Sequence, residues 1–212
     1  WSPNSETVSW FHGPRFFERA LKDAFTFVDG AADTLPEIDT DGVDLSFSKK
    51  ADKPTGYKAL VGGNIVTMRN ADNVEEVIEG GTVLIKDNRI VVVGKNVDLP
   101  KGTQVIDVTG KTVIPGLVDA HAHGAQGRRE IIPQQNWMMY SNVSFGVTTI
   151  HDPSNDSSEI FSASELQRAG KIVAPRIYST GTILYGAELL THKAIVKSYD
   201  DALYHMQRMK DM

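Results

Sequence analysis

Gly110-Lys111-Thr112-Val113-Ile114-Pro115-Gly116-Leu117-Val118-Asp119-Ala120-His121-Ala122-His123 is the stretch on which two kinds of sequence meet. Upstream of it, from Tyr57, short β-forming runs alternate with turn formers. Ala59-Leu60-Val61 and Ile65-Val66-Thr67-Met68 surround a Gly62-Gly63 break. Thr82–Ile85 and Ile90–Val93 flank Asp87-Asn88, a pair that tolerates the positive φ of a tight hairpin turn. Gln104–Val108 and Thr112–Ile114 follow around Gly110-Lys111. Several short strands separated by turns predict a small sheet or sandwich over residues 57–114.

Beyond Pro115-Gly116 the rhythm becomes strand–helix alternation. Strands are predicted at Leu117–His121, Val147–Ile150 and Ile172–Ser179. Helices are predicted at Pro133–Val143, at Ser158–Ala169 with Gly170 as its stop, and at Tyr199–Met212 entered through Ser198. Repeated β–α units imply parallel strands joined by helical crossovers, so the fold class is α/β.

The other end of the chain is different. Residues 1–28 are rich in aromatics, with a short strand predicted at Thr7-Val8-Ser9-Trp10 after Pro3, Asn4 and Ser5. Residues 29–56 have the polar, acidic composition of a linker, although Val43-Asp44-Leu45-Ser46-Phe47 alternates as an isolated strand would. Across all 212 residues, 41% are hydrophobic and 23% charged, with a formal net charge of -5, so no basic patch points to nucleic acid or an anionic membrane. No apolar run approaches the roughly 20 residues of a membrane span, and the first residues show no basic n-region with an apolar h-region, which says nothing of a longer parent's compartment. The first residue is Trp1, so a longer translation product is expected. There are no cysteines, which excludes disulfides and thiolate zinc sites and leaves His, carboxylate or a modified Lys to hold any metal.

Asp119-Ala120-His121-Ala122-His123-Gly124 carries the chemistry. Side chains alternate along a strand, so residues 119, 121 and 123 share one face and two imidazoles can converge on one ion. Neutral imidazole suits Zn2+ and similar divalent metals. Asp119 on the same face is expected either to orient an imidazole by accepting from it or to hold the strand. A bare His-x-His recurs by chance, but this pair follows an apolar strand, where parallel sheets and barrels carry their functional loops.

The segment from Gly110 to His123 resembles the opening signature of the amidohydrolase superfamily. The preceding hairpin, Gly81–Ile85 through Ile90–Gly94, is similar to the small β-sandwich that the family places before its barrel. Gly146-Val147-Thr148-Thr149-Ile150-His151-Asp152 looks like its second barrel strand, and the likeness runs over about residues 57–212. Trp1-Ser2-Pro3-Asn4-Ser5 with Val8-Ser9-Trp10 resembles the last blade of a Tol-type β-propeller, which some exported bacterial amidohydrolases carry before the hydrolase. Ile177-Tyr178-Ser179-Thr180-Gly181-Thr182 fits that subgroup. The resemblance thus implies four segments: a propeller-blade remnant at 1–28, a linker at 29–56, a β-sandwich part at 57–114, and the first three or so β–α units of a (β/α)8 TIM barrel at 115–212.

It also implies a site. Such enzymes bind one or two divalent ions through the first-strand His pair, a Lys or Glu on the fourth strand, His on the fifth and sixth, and an Asp on the eighth. Only His121 and His123 map onto this sequence, and the late-strand catalytic Asp does not. The implied activity is hydrolysis of an amide or other C–N bond in a cyclic amide, imide or peptide-like substrate by metal-activated water. The implied setting is an exported or periplasmic parent protein that assembles as an oligomer. A full barrel takes about 250 residues. Residues 115–212 alone are therefore expected to be inactive, to bind metal poorly and to need a further barrel half.

Other candidates read as structural. His151 and Asp152 close the second strand, where a hydrogen-bonded structural role is favoured over a substrate loop. His12, His192 and His205 have no evident partners in sequence. Arg128-Arg129-Glu130 reads as a solvated charge cluster. Lys171 and Lys197 precede the third strand and third helix, so neither stands where a bridging Lys would. Gly181-Thr182 and Tyr185-Gly186 read equally well as plain loop or as shaping a pocket, and the aromatics of residues 1–28 as packing. The competing class is a non-enzymatic binding or assembly module with a vestigial His pair. Two further barrel His and a late Asp downstream in the reading frame would favour the enzyme, and a stop codon at Met212 the module.

Overall fold

A computed structural model describes residues 1–69, 76–188 and 193–211. The described chain is mixed α/β, and its contacts divide it into two compact units. One unit comprises Trp1–Lys49, Asp156–Ser158 and Thr182–Met212; the other comprises Lys50–Asn155 and Glu159–Gly181.

In the first unit, β1 (Thr7–His12) and β2 (Arg15–Ala20) form an antiparallel hairpin. Gly13 makes the turn at φ 55°, a conformation a side chain would disfavour. Trp10 stacks on Phe17 across it, with ring centroids 5.4 Å apart. The short helix α1 (Leu21–Ala24) follows, and β3 (Val43–Asp44) pairs antiparallel with β2. The alternation at Val43–Phe47 therefore marks a strand edge with a partner, where an isolated strand was expected, and the hairpin is longer than the predicted Thr7–Trp10.

The second unit opens with β4 (Tyr57–Val66), β5 (Val77–Lys86), β6 (Arg89–Gly94), β7 (Gln104–Asp107) and β8 (Thr112–Val113). Their sheet runs β6-β5-β4-β7, with β8 pairing the far end of β4. The β5–β6 turn carries Asp87 at φ 57°, as the Asp-Asn pair predicted. Gly62-Gly63 does not break the strand. It shifts the β4–β5 register instead, so one strand replaces the two expected.

The same unit continues as β9 (Leu117–Asp119), α2 (Trp137–Ser144), β10 (Val147–Asp152), α3 (Ser157–Arg168, in this unit from Glu159 onward) and β11 (Arg176–Ser179). β10 is central and pairs in parallel with both β9 and β11, the arrangement that strand–helix alternation predicted. Ile150 on β10, Met139 on α2, Ile160 and Ala163 on α3, Ile177 on β11 and Ala122 beyond β9 form its core. Ile160 and Ala163 lie three apart, so they share the helix face turned to the sheet. Full burial of an Ile side chain is worth roughly 1.5–3 kcal/mol, so this small cluster holds the layers together.

Boundaries depart from expectation for local reasons. β9 stops at Asp119, because its Oδ1 accepts the His121 backbone N–H at 3.0 Å and turns the chain out of the strand. α2 starts at Trp137 rather than Pro133, because Asn136 caps it through Oδ1 to the N–H groups of Met138 and Met139 at 3.0 and 3.4 Å. β11 starts at Arg176, just after Pro175, which has no N–H to offer a ladder.

Back in the first unit, β12 (Ile183–Tyr185) and β13 (Lys193–Ile195) pair in parallel before the last helix α4 (Tyr199–Asp211). This pair is not predicted from the sequence, in which Tyr185-Gly186 is consistent with a plain loop. Among the described residues, no helix is long and apolar enough to cross a membrane.

Candidate metal centre

His121 and His123 follow the C-terminal end of β9 in a turn, not on the strand itself. The turn still brings them together: their ring centroids lie 5.0 Å apart with planes at 68°. Two imidazoles bonded at about 2.1 Å to one tetrahedral zinc have centroids roughly 5 Å apart, so the pair fits two corners of such a site. His123 keeps 57% of its side chain exposed, so the ring is open to an ion. Among the described residues, no group of three or more His, Cys, Asp or Glu side chains is placed to hold a metal. What the described residues present is a pair of facing imidazoles.

Asp119 holds the backbone of this turn through the His121 N–H. The carboxylate that approaches an imidazole is that of Asp152, whose Oδ1 lies 3.5 Å from His123 Nδ1. Asp152 is 0% exposed at the end of β10. Its Oδ1 accepts the Ser154 N–H at 2.9 Å and its Oδ2 the Asn155 side-chain amide at 2.8 Å. Asn155 also donates to the Gly124 carbonyl at 2.8 Å, and the Ala122 N–H donates to the His151 carbonyl at 3.0 Å. His151-Asp152 closes the second strand of this sheet, and nothing in the sequence alone joins it to His123. A buried Asp on the strand beside a His pair was the available signal, and only the parallel pairing of β10 with β9 gives it a target.

The segment after the pair builds a recess of about 600 Å³, lined among others by Gln126, Arg128, Arg129, Gln135, Asn136 and Trp137. Arg129 and Glu130 occupy the two central positions of a tight turn at φ 53° and 65°, closed by reciprocal hydrogen bonds between Arg128 and Ile131. The Glu130 N–H donates to Glu159 Oε1 at 3.1 Å. The Arg128-Arg129-Glu130 cluster is thus exposed, but held in a defined turn.

The remaining candidates lie elsewhere. Lys171 is ion-paired to Asp52, and Lys197 Nζ stands 3.6 Å from Glu188 Oε1. His205 lines a recess of about 500 Å³ in the first unit with Lys193 and Arg208. His12 sits on β1, and His192 lies outside the described residues.

No protein-family model matches the chain. Over 80 residues, 38% of the chain, it is 40% identical to an imidazolonepropionase of Staphylococcus aureus strain JH9 and 51% identical to one from strain Newman. Those 80 residues are 16% of each relative, so the chain matches only a small part of their length. Among solved structures, a prolidase complexed with N-methylphosphonate-L-proline superposes with TM-score 0.56 at 22% identity, covering 74% of this chain and 44% of that one. An amidohydrolase and a Xaa-Pro dipeptidase with bound methionine each give TM-score 0.55, at 16% and 19% identity, over 74% of this chain and 45% of theirs. The chain is thus similar in sequence to imidazolonepropionases over those 80 residues, and similar in fold to the three solved structures over 74% of its length. The chain spans under half of each of these solved neighbours.

Proposed function

We propose that this chain carries the metal-binding opening of a metal-dependent amidohydrolase, which hydrolyses an amide or other C–N bond in a cyclic amide, imide or peptide-like substrate. The observation that carries the reading is the facing of His121 and His123, 5.0 Å between ring centroids, beyond the C-terminal end of a parallel strand. Open α/β sheets and (β/α)8 barrels alike keep their chemistry at that end. On this reading β9, β10 and β11 are the first three strands of a (β/α)8 barrel within residues 115–212. The sheet of residues 57–114 is then its companion β-sandwich, and residues 1–28 the remnant of a propeller blade.

His121 and His123 would hold a divalent ion, zinc by the preference of neutral imidazole, and Asp119 would keep the turn between them in shape. When bound, the ion supplies Lewis acidity and lowers the pKa of a coordinated water. The recess lined by Gln126, Arg128, Arg129 and Trp137 begins two residues after the pair and offers donors and an aromatic face to a substrate. The prolidase and Xaa-Pro dipeptidase among the fold neighbours support the peptide-like option.

Titration of the 212-residue chain with Co2+, followed by visible absorption, tests this directly. Weak binding is expected, because two imidazoles leave the ion short of the three or four protein ligands it normally takes. His121→Ala with His123→Ala should abolish it. Unchanged binding in the double variant would sink the metal reading. Tight stoichiometric binding, or measurable cleavage of a Xaa-Pro dipeptide, would instead show that no further residues are needed.

A further inference from the structure

Burying a carboxylate costs several kcal/mol unless hydrogen bonds replace its hydration. Asp152 is 0% exposed, and two donors from its own strand end, the Ser154 N–H and the Asn155 amide, meet that requirement. Those two bonds explain a turn. They do not explain why the same carboxylate faces an imidazole from a segment 29 residues earlier, with Oδ1 3.5 Å from His123 Nδ1.

The surroundings point the same way. Ala122 is tied to β10 by its N–H on the His151 carbonyl at 3.0 Å, and Gly124 by its carbonyl on Asn155 Nδ2 at 2.8 Å. Both chain neighbours of His123 are therefore fastened to the end of β10, while the His123 side chain remains 57% exposed. Packing does not fix that ring, so its orientation needs a specific partner. An imidazole that turns one N–H to a carboxylate presents its other nitrogen as a lone pair, and this selects both tautomer and direction.

We propose that Asp152, held by Ser154 and Asn155, is a positioning residue for His123. It keeps Nδ1–H turned toward its carboxylate, so that Nε2 is the nitrogen offered to the ion. The metal half of this statement rests on the reading under Proposed function; the tautomer half does not.

The test is long-range 1H–15N imidazole spectroscopy of the 15N-labelled chain at pH 8, with Co2+ titration run in parallel. In the unsubstituted chain His123 should be protonated at Nδ1 and bare at Nε2. In Asp152→Ala it should relax toward the mixture of a free imidazole, and Co2+ affinity should fall about 10–100-fold. Asp152→Asn keeps the shape and an acceptor oxygen but not the charge. It should give an intermediate result, and it carries the test if the alanine variant loses its dispersed amide spectrum. A tautomer that shifts in a chain binding no Co2+ supports the positioning role while the metal reading fails. A tautomer and affinity unchanged from the unsubstituted chain overturn the positioning role and leave the metal reading standing.

Discussion

Single side chains around the His pair each serve more than one neighbour. Asn136 is the clearest case. Its Oδ1 caps α2 at the Met138 and Met139 N–H groups, while its Nδ2 donates at 2.9 Å to the carbonyl of Ala125, two residues after His123. Loss of an Asn cap costs typically about 1 kcal/mol and up to about 2. Asn136→Ala should therefore lower stability by about 1–2 kcal/mol in urea unfolding, since it removes the cap and the loop tether together. Asn136→Asp retains the capping oxygen and loses only the donor, so it should recover most of the deficit. Equal losses in both variants would mean that the tether, not the cap, is what matters. Asp119 teaches a related lesson. The sequence predicts it on one strand face with the His pair, but its bond to the His121 N–H ends the strand before the imidazoles.

At the scale of elements, α4 depends on its first turn, because none of its residues is buried. Ser198 Oγ accepts the Asp201 N–H at 3.1 Å, and Asp201 Oδ2 reaches back to accept the Lys197 N–H, one residue before the cap, at 3.0 Å. The Lys197 N–H, followed by the Ser198 hydroxyl, holds the Asp201 carboxyl below the ordinary aspartate range. A carboxyl depressed in the folded state adds stability that is complete above the ordinary value, about 3.9, and is lost as pH falls through the lowered one. Acid titration should therefore move the Lys197 amide proton signal only below about pH 4, and Asp201→Asn should remove that titration. A Lys197 signal that titrates unchanged in the variant would assign the effect to another group. Ser198 as the entry to this helix was readable in sequence, since caps are local. So were the hairpin at Asp87-Asn88 and the parallel β–α order, which rest on turn chemistry and periodicity. The β12–β13 pair was not, because three-residue strands with no alternation leave no periodic mark. Nor was the approach of Asp152 to His123, which exists only once β10 lies beside β9.

At the scale of the whole molecule, the sheet β11-β10-β9 ends on two strands with no further neighbour among the described residues. Leu117 is 52% exposed, Val118 67% and Tyr178 51%, all on those outer strands. An unpaired strand edge beside apolar side chains is a template for another chain, and proteins that leave one open usually blunt it with charge. β9 contributes only Asp119 to that defence, and the carboxylate is turned to the His121 backbone. Contact between such edges would bury Val118 and its neighbours at roughly 25 cal/mol per Å² of apolar area. The 212-residue chain should then associate reversibly at micromolar concentration in sedimentation velocity, and Val118→Lys should shift it toward monomer. A lysine there meets solvent in the free chain, so the fold should be unaffected and the far-UV circular dichroism unchanged. A chain that stays monomeric throughout, or a variant that associates as the parent does, would show that these edges are already satisfied. In that case the expected oligomer has to be sought on another face.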